Sequence, residues 1–106
     1  MPTVEALSCG LPVLMPDCPP NGDLLPAGML VPCDRAGEWA GPSGPIELFD
    51  VNPSILAARI DALVADPSEV EALSWQADRI ASGLDWAVMA PRWLAALERL
   101  TERVPA

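Results

Sequence analysis

The chain has 106 residues, 51% of them hydrophobic, with a mean hydropathy of +0.27, which is ample apolar material for one packed domain and too much for a disordered tail. Fifteen acidic residues against six arginines give a formal net charge of -9, which repels phosphate-rich polymers and excludes nucleic acid as an expected partner. With no His, Lys or Tyr, the chain cannot build a Ser-His-Asp triad, a Cys-His pair, a Schiff base or a Walker lysine, so any catalysis must use carboxylates, backbone amides or groups from elsewhere.

The stretch PTVEALSCGLPVLMPD, from Pro2 to Asp17, predicts a helix of barely two turns through Val4, Glu5, Ala6, Leu7 and Ser8. Thr3 is its expected N-cap, Gly10 its left-handed terminator, and Pro12 prevents continuation. The run PVLMP that follows lacks polar alternation, which suits a parallel strand covered on both faces. DCPPNGD is dense turn chemistry, and a second short apolar segment comes at Met29 to Val31. Helix, strand, turn and strand make an α/β pattern.

Residues 34–47 are rich in Gly, Pro and Ser around a lone Trp39, and read as a long surface loop. A short strand at IELF is suggested by Ile46 and Leu48 alternating with Glu47. Asn52 followed by Pro53 predicts a helix start, with Ile55, Leu56, Ile60, Leu63 and Val64 on one stripe. Asp66, Pro67 and Glu69 open a second helix that Gly83 ends, and Asp85 opens a third, in which Pro91 predicts a kink or a restart. Trp75, Trp86 and Trp93 fall at helical positions and are expected in core or inter-domain packing.

Two short parallel strands with several helices leave sheet edges uncovered, so neighbouring strands are expected from sequence outside the chain or from another chain. The whole of 1–106 is therefore read as a partial domain. Cys9, Cys18 and Cys33 form no C-x-x-C pattern, and without histidine a zinc site would lack its usual nitrogen ligands. Buried small side chains in a reducing cytoplasm are the expectation for all three, and no metal is expected. The start of the chain lacks a basic n-region, and Glu5 and Asp17 interrupt its apolar residues, so neither a signal peptide nor a spanning helix is expected.

Glu5 sits in the first turn of the predicted helix, where partial positive charge favours an ionised carboxylate. An ionised carboxylate accepts from two hydroxyls at once, the geometry of a ribose 2',3'-diol, and amides nearby suit a diphosphate. The competing reading is a solvated residue that only complements the helix dipole.

The segment also resembles the signature of the family 4 retaining nucleotide-sugar glycosyltransferases of the GT-B architecture. In that family two glutamates are separated by seven residues, and the second opens an E-A-x-x-x-G-x-P-V run, which Glu5, Ala6, Gly10, Pro12 and Val13 match. GMLVPC resembles the family's G-x-L-V-P strand, LAARIDALVADP its L-A-x-A-I-x-x-L-L-x-D-P helix, and LDWAVMAPRWL its terminal segment. The resemblance implies the distal half of a Rossmann-like C-terminal domain, short parallel strands followed by C-terminal helices, in an enzyme that transfers sugar from a nucleotide-diphosphate sugar to an acceptor with retention. It implies that Glu5 holds the donor ribose, with Met1, Pro2, Thr3 and Val4 on the backbone that approaches the donor. Asp23 would border the acceptor cleft, although a turn aspartate is the simpler reading, and Trp39 is likewise better explained by a variable loop than by acceptor binding. The family's first glutamate and its basic pair have no counterpart in the chain, so no catalytic residue is assigned, and the implied partner is the N-terminal domain of the same enzyme. Peripheral membrane contact would arise only through that full enzyme. Nucleotide-sugar epimerisation on the same fold and a non-catalytic acidic helical module are the alternatives.

Overall fold

Pro2 is the first helical residue rather than a residue ahead of the cap, because its fixed φ and missing N–H suit the first turn of a helix. The computed structural model describes residues 2–104, so the expected donor-side role of Met1 lies outside the described residues. Helix α1 spans Pro2–Ser8, which moves Thr3 inside the helix and corrects the expectation that it caps it. The Thr3 hydroxyl instead donates to the Met15 sulfur at 3.8 Å. Gly10, with φ of 71°, ends the helix. Its N–H bonds the Leu7 carbonyl and the Leu11 N–H bonds the Ala6 carbonyl, both at 3.0 Å, which closes a Schellman motif.

Strand β1 (Met15–Pro16) pairs in parallel with β2 (Leu30–Val31), Met15 opposite Leu30 and Pro16 opposite Val31. Only these two residues of the apolar run enter a ladder, and both are half-buried. Between the strands lie a one-turn helix, α2 (Asn21–Leu24), and a 3₁₀ turn at Ala27–Met29. The architecture is mixed α/β with a short parallel sheet.

Residues 34–47 do not form the expected loop. Strands β3 (Asp34–Gly41) and β4 (Gly44–Asp50) make an antiparallel hairpin across the two-residue connection Pro42–Ser43. Trp39 lies opposite Ile46, and the ladder is offset by a bulge between Arg35 and Gly37, where Gly37 takes a φ of 141°. The register sets Glu38 against Glu47, a like-charge pair that would destabilise the ladder. Arg35 offsets it by reaching Glu38 at 2.6 Å and Glu47 at 3.2 Å.

Three helices follow, α3 (Pro53–Ala65), α4 (Pro67–Gly83) and α5 (Trp86–Glu102). Each starts at a local cap read from sequence: Asn52 accepts from the Ser54 N–H, Asp66 from the Glu69 N–H, and Asp85 from the Ala87 N–H. Helix α5 continues through Pro91 without a restart, and Pro91 lies on an exposed face where water can satisfy the carbonyl it leaves unbonded. Gly83 is the last residue of α4, and Leu84 follows as its C-cap.

The core is small. Leu7, Leu25, Met29, Leu73 and Ala77 are buried together, with Val13, Met15, Leu63 and Ile80 packed against them, so α1 and the 3₁₀ turn sit on α4. The close approach is visible at Gly28, where a Cβ would stand 2.8 Å from Leu73 Cδ2. Arg59 ties the same region together, donating to the Gly28 carbonyl at 2.7 Å and pairing with Glu69 at 2.6 Å. The surface is large by comparison. A compact monomer of 11.2 kDa exposes roughly 5,700 Å² and has a radius of gyration of about 13 Å, whereas this chain exposes 7863 Å² and has a radius of 18.0 Å. Much of the excess is apolar, on α5 and the hairpin.

The cysteines and tryptophans depart from expectation for the same reason. Cys9 is exposed and Cys18 and Cys33 are only half-buried, all three with free thiols. Trp75, Trp86 and Trp93 are 66%, 75% and 60% exposed, so within this chain none is core. No helix among the described residues is long and apolar enough to cross a membrane.

Candidate functional site

The Schellman turn and the packing of α1 on α4 fix the direction in which the first turn of α1 faces, and this turn carries Val4 and Glu5. Both line a groove of about 410 Å³, completed by Leu84, Trp86, Met89 and Trp93 from the start of α5 and the residue before its cap. Trp86, Met89 and Trp93 are spaced by three and four residues, so they occupy one helical face. The capping of α5 by Asp85 sets where that face begins.

Glu5 is exposed at this groove, while Val4 is half-buried. The carbonyl of Glu5 accepts from the Ser8 hydroxyl at 2.7 Å, which holds the backbone of the turn. Thr3 is not part of the lining, since its hydroxyl is directed at Met15 under the helix. Of the three residues singled out for the donor, Val4 and Glu5 are therefore brought together with α5, and Thr3 stands apart.

In chemical terms the groove offers a carboxylate beside an apolar, aromatic lining. The carboxylate can accept from hydroxyl groups, and the indoles offer flat surface to a planar ring. Among the described residues that line it, Glu5 is the one charged side chain, and none is an arginine.

Asp23 lies elsewhere. It belongs to α2 and lines a separate cavity of about 450 Å³ with Leu24, Leu25, Pro26, Gln76, Arg79 and Ile80. Its N–H bonds the Pro20 carbonyl at 3.0 Å, so it sits within a helical turn. The structure does not bring Asp23 and Glu5 to one cleft. Trp39, the other residue considered for an acceptor, is on the hairpin opposite Ile46.

Trp86 and Trp93 are groove residues that sequence reasoning placed in packing instead, and it did not single out Met89, which shares their face. Their spacing alone shows that they share a face, but which element that face meets depends on the long-range packing of α1. Among the described residues, no group of three or more His, Cys, Asp or Glu side chains is placed to hold a metal ion. Comparison with known proteins finds no matching family model, no matching curated protein and no matching solved structure.

Proposed function

We propose that the chain is the distal part of the nucleotide-sugar-binding domain of a retaining glycosyltransferase, with Glu5 accepting from the ribose hydroxyls of the donor. The observation that carries this reading is the placement of the Glu5 carboxylate beside the aromatic groove of Trp86 and Trp93. One end of a nucleoside needs hydroxyl acceptors and the other a flat apolar surface, and the groove has both. The helix, left-handed glycine turn and parallel strand from Pro2 to Pro16 are consistent with the Rossmann-like pattern on which the reading rests.

In this reading the donor lies between this domain and the N-terminal domain of the same enzyme, and the sugar passes to an acceptor with retention of configuration. Charge building on the departing diphosphate is stabilised by helix termini and basic groups outside this chain. Glu5 binds and orients. A second reading, a non-catalytic docking module, draws on the exposed face of Trp93, Leu94, Leu97 and Leu100 on α5.

The test is a nuclear magnetic resonance titration of the 106-residue chain with uridine and guanosine diphosphates. The expected result is weak binding, with a dissociation constant of roughly 1 mM because no groove arginine meets the diphosphate. Shifts should concentrate on Val4, Glu5 and the indoles of Trp86 and Trp93, with no sugar transfer or donor hydrolysis above a Glu5→Ala control. Shifts confined to other surfaces, none at all, or turnover by the isolated chain would contradict the reading.

A further inference from the structure

The two parallel strands end in a pair of thiols. Met15 faces Leu30 and Pro16 faces Val31, each separated by fifteen positions in sequence, and the same offset relates Cys18 to Cys33, two places beyond the last ladder pair. The last ladder pair is closed by the Asp17 N–H, which bonds the Val31 carbonyl at 2.8 Å, and just beyond it the chain turns, with the Cys18 N–H bonding the Pro16 carbonyl at 2.9 Å. The Cys33 thiol then donates to the Asp17 carbonyl at 3.3 Å, and that carbonyl belongs to the peptide unit that ends at Cys18. On its other side Cys18 Sγ accepts from the Asn21 amide at 3.9 Å, while that same amide group donates to the Pro16 carbonyl at 2.9 Å. The Cys33 sulfur therefore lies against the peptide unit that carries Cys18, the approach a disulfide needs, since it spans Cα separations of about 4.4–6.8 Å.

We propose that Cys18 and Cys33 form a reversible disulfide that staples the carboxyl ends of β1 and β2, with Cys9 excluded from it. Both thiols are free and half-buried, whereas Cys9 lies at the end of α1, in a hollow with Ser8, Gly10, Ser74, Trp75 and Asp78. Desolvation raises the Cys33 pKa above its ordinary value, and the neighbouring Cys18 thiol and the Asp17 and Asp34 carboxylates raise it further. The oxidant is a low-molecular-weight disulfide of the glutathione class. One protein thiol loses its proton to solvent, and its thiolate attacks a sulfur of the reagent, forming a mixed disulfide and expelling one small thiolate. The second protein thiolate then attacks the protein sulfur of that mixed disulfide and expels the other. The dithiol loses two electrons and two protons, and the reagent is reduced to two thiols.

Selectivity distinguishes this pair from chance oxidation. In an unfolded chain the shorter Cys9–Cys18 loop closes more readily than the Cys18–Cys33 loop, so a preference for Cys18–Cys33 requires the fold. Cleavage before Asp17, Asp23 and Asp34 places the three cysteines on three different peptides. The chain is equilibrated with oxidised glutathione, alkylated, digested with an aspartate-specific protease and analysed by mass spectrometry. The expected product links peptide 17–22 to peptide 23–33 with the loss of two hydrogen atoms and leaves Cys9 alkylated. In guanidinium the preference should move to Cys9–Cys18, and in native Cys18→Ser the linkage should vanish. Native linkage through Cys9, lasting glutathione adducts on Cys18 and Cys33, absence of reaction, or the same preference in guanidinium would each overturn the proposal.

Discussion

Replacing Leu7 by Ala is expected to abolish the cooperative unfolding of the isolated chain. Leu7 is fully buried and is the point at which α1 meets Leu73 and Ala77 of α4. Truncating a buried leucine costs about 2–5 kcal/mol, from lost transfer energy and from the cavity left behind. Domains of this size are held by roughly 5–15 kcal/mol, and a chain that exposes far more surface than a compact monomer belongs at the low end of that range. The loss is then comparable to the whole stability. Urea titration followed by circular dichroism checks it, with Leu97→Ala as the control, because Leu97 is 53% exposed on α5 and its truncation should leave the midpoint almost unmoved. A sharp transition for Leu7→Ala near that of the wild type would show that the core lies elsewhere.

In an enzyme that contains this segment, Glu5→Gln is expected to raise the donor KM by roughly ten- to a hundredfold with a smaller fall in kcat. A group that holds ribose hydroxyls acts on ground state and transition state almost equally, because the ribose is several bonds from the anomeric carbon and its charge does not change. Uniform binding of that kind moves KM more than kcat. Gln keeps the shape and one acceptor but loses charge-assisted hydrogen bonds worth about 1.5–3 kcal/mol. Glu5 is exposed in the first turn of α1. A role limited to the helix dipole predicts the reverse, a small change in melting temperature with the donor KM unmoved. Steady-state kinetics and a thermal melt of the same two proteins separate these outcomes.

The features legible in the sequence are those fixed within a few residues. Asn52, Asp66 and Asp85 accept hydrogen bonds from amides two or three positions ahead, and Gly10 takes its left-handed turn from contacts with Ala6 and Leu7, so neighbours alone specify them. Of the hairpin at Asp34–Asp50 only the second strand was legible, through Ile46 and Leu48 alternating with Glu47, and the first was hidden for the opposite reason. Its Gly, Pro and Ser content reads as loop, while its ladder is held by cross-strand partners such as Trp39 with Ile46 and by Arg35 bridging two glutamates. Burial was equally hidden, because whether a cysteine or tryptophan is covered depends on elements distant in sequence. Trp86 and Trp93 therefore moved from packing to the groove, and Thr3 moved from cap to the underside of α1. Val4 and Glu5 could be singled out locally. Their neighbours in the groove could not.

The most direct test is discrimination of the ribose diol. Binding of uridine diphosphate and of its 2',3'-dideoxy counterpart to wild type and to Glu5→Gln is measured by the same titration, with all four pairs compared at equal ionic strength. Wild type should favour the diol by roughly tenfold, as expected for about 1.4 kcal/mol of carboxylate–hydroxyl bonding, and Glu5→Gln should lose most of that preference while still shifting the Trp86 and Trp93 indoles. Equal binding of the two ligands to wild type, or a preference that survives intact in Glu5→Gln, would contradict the assignment of Glu5 to the nucleotide ribose.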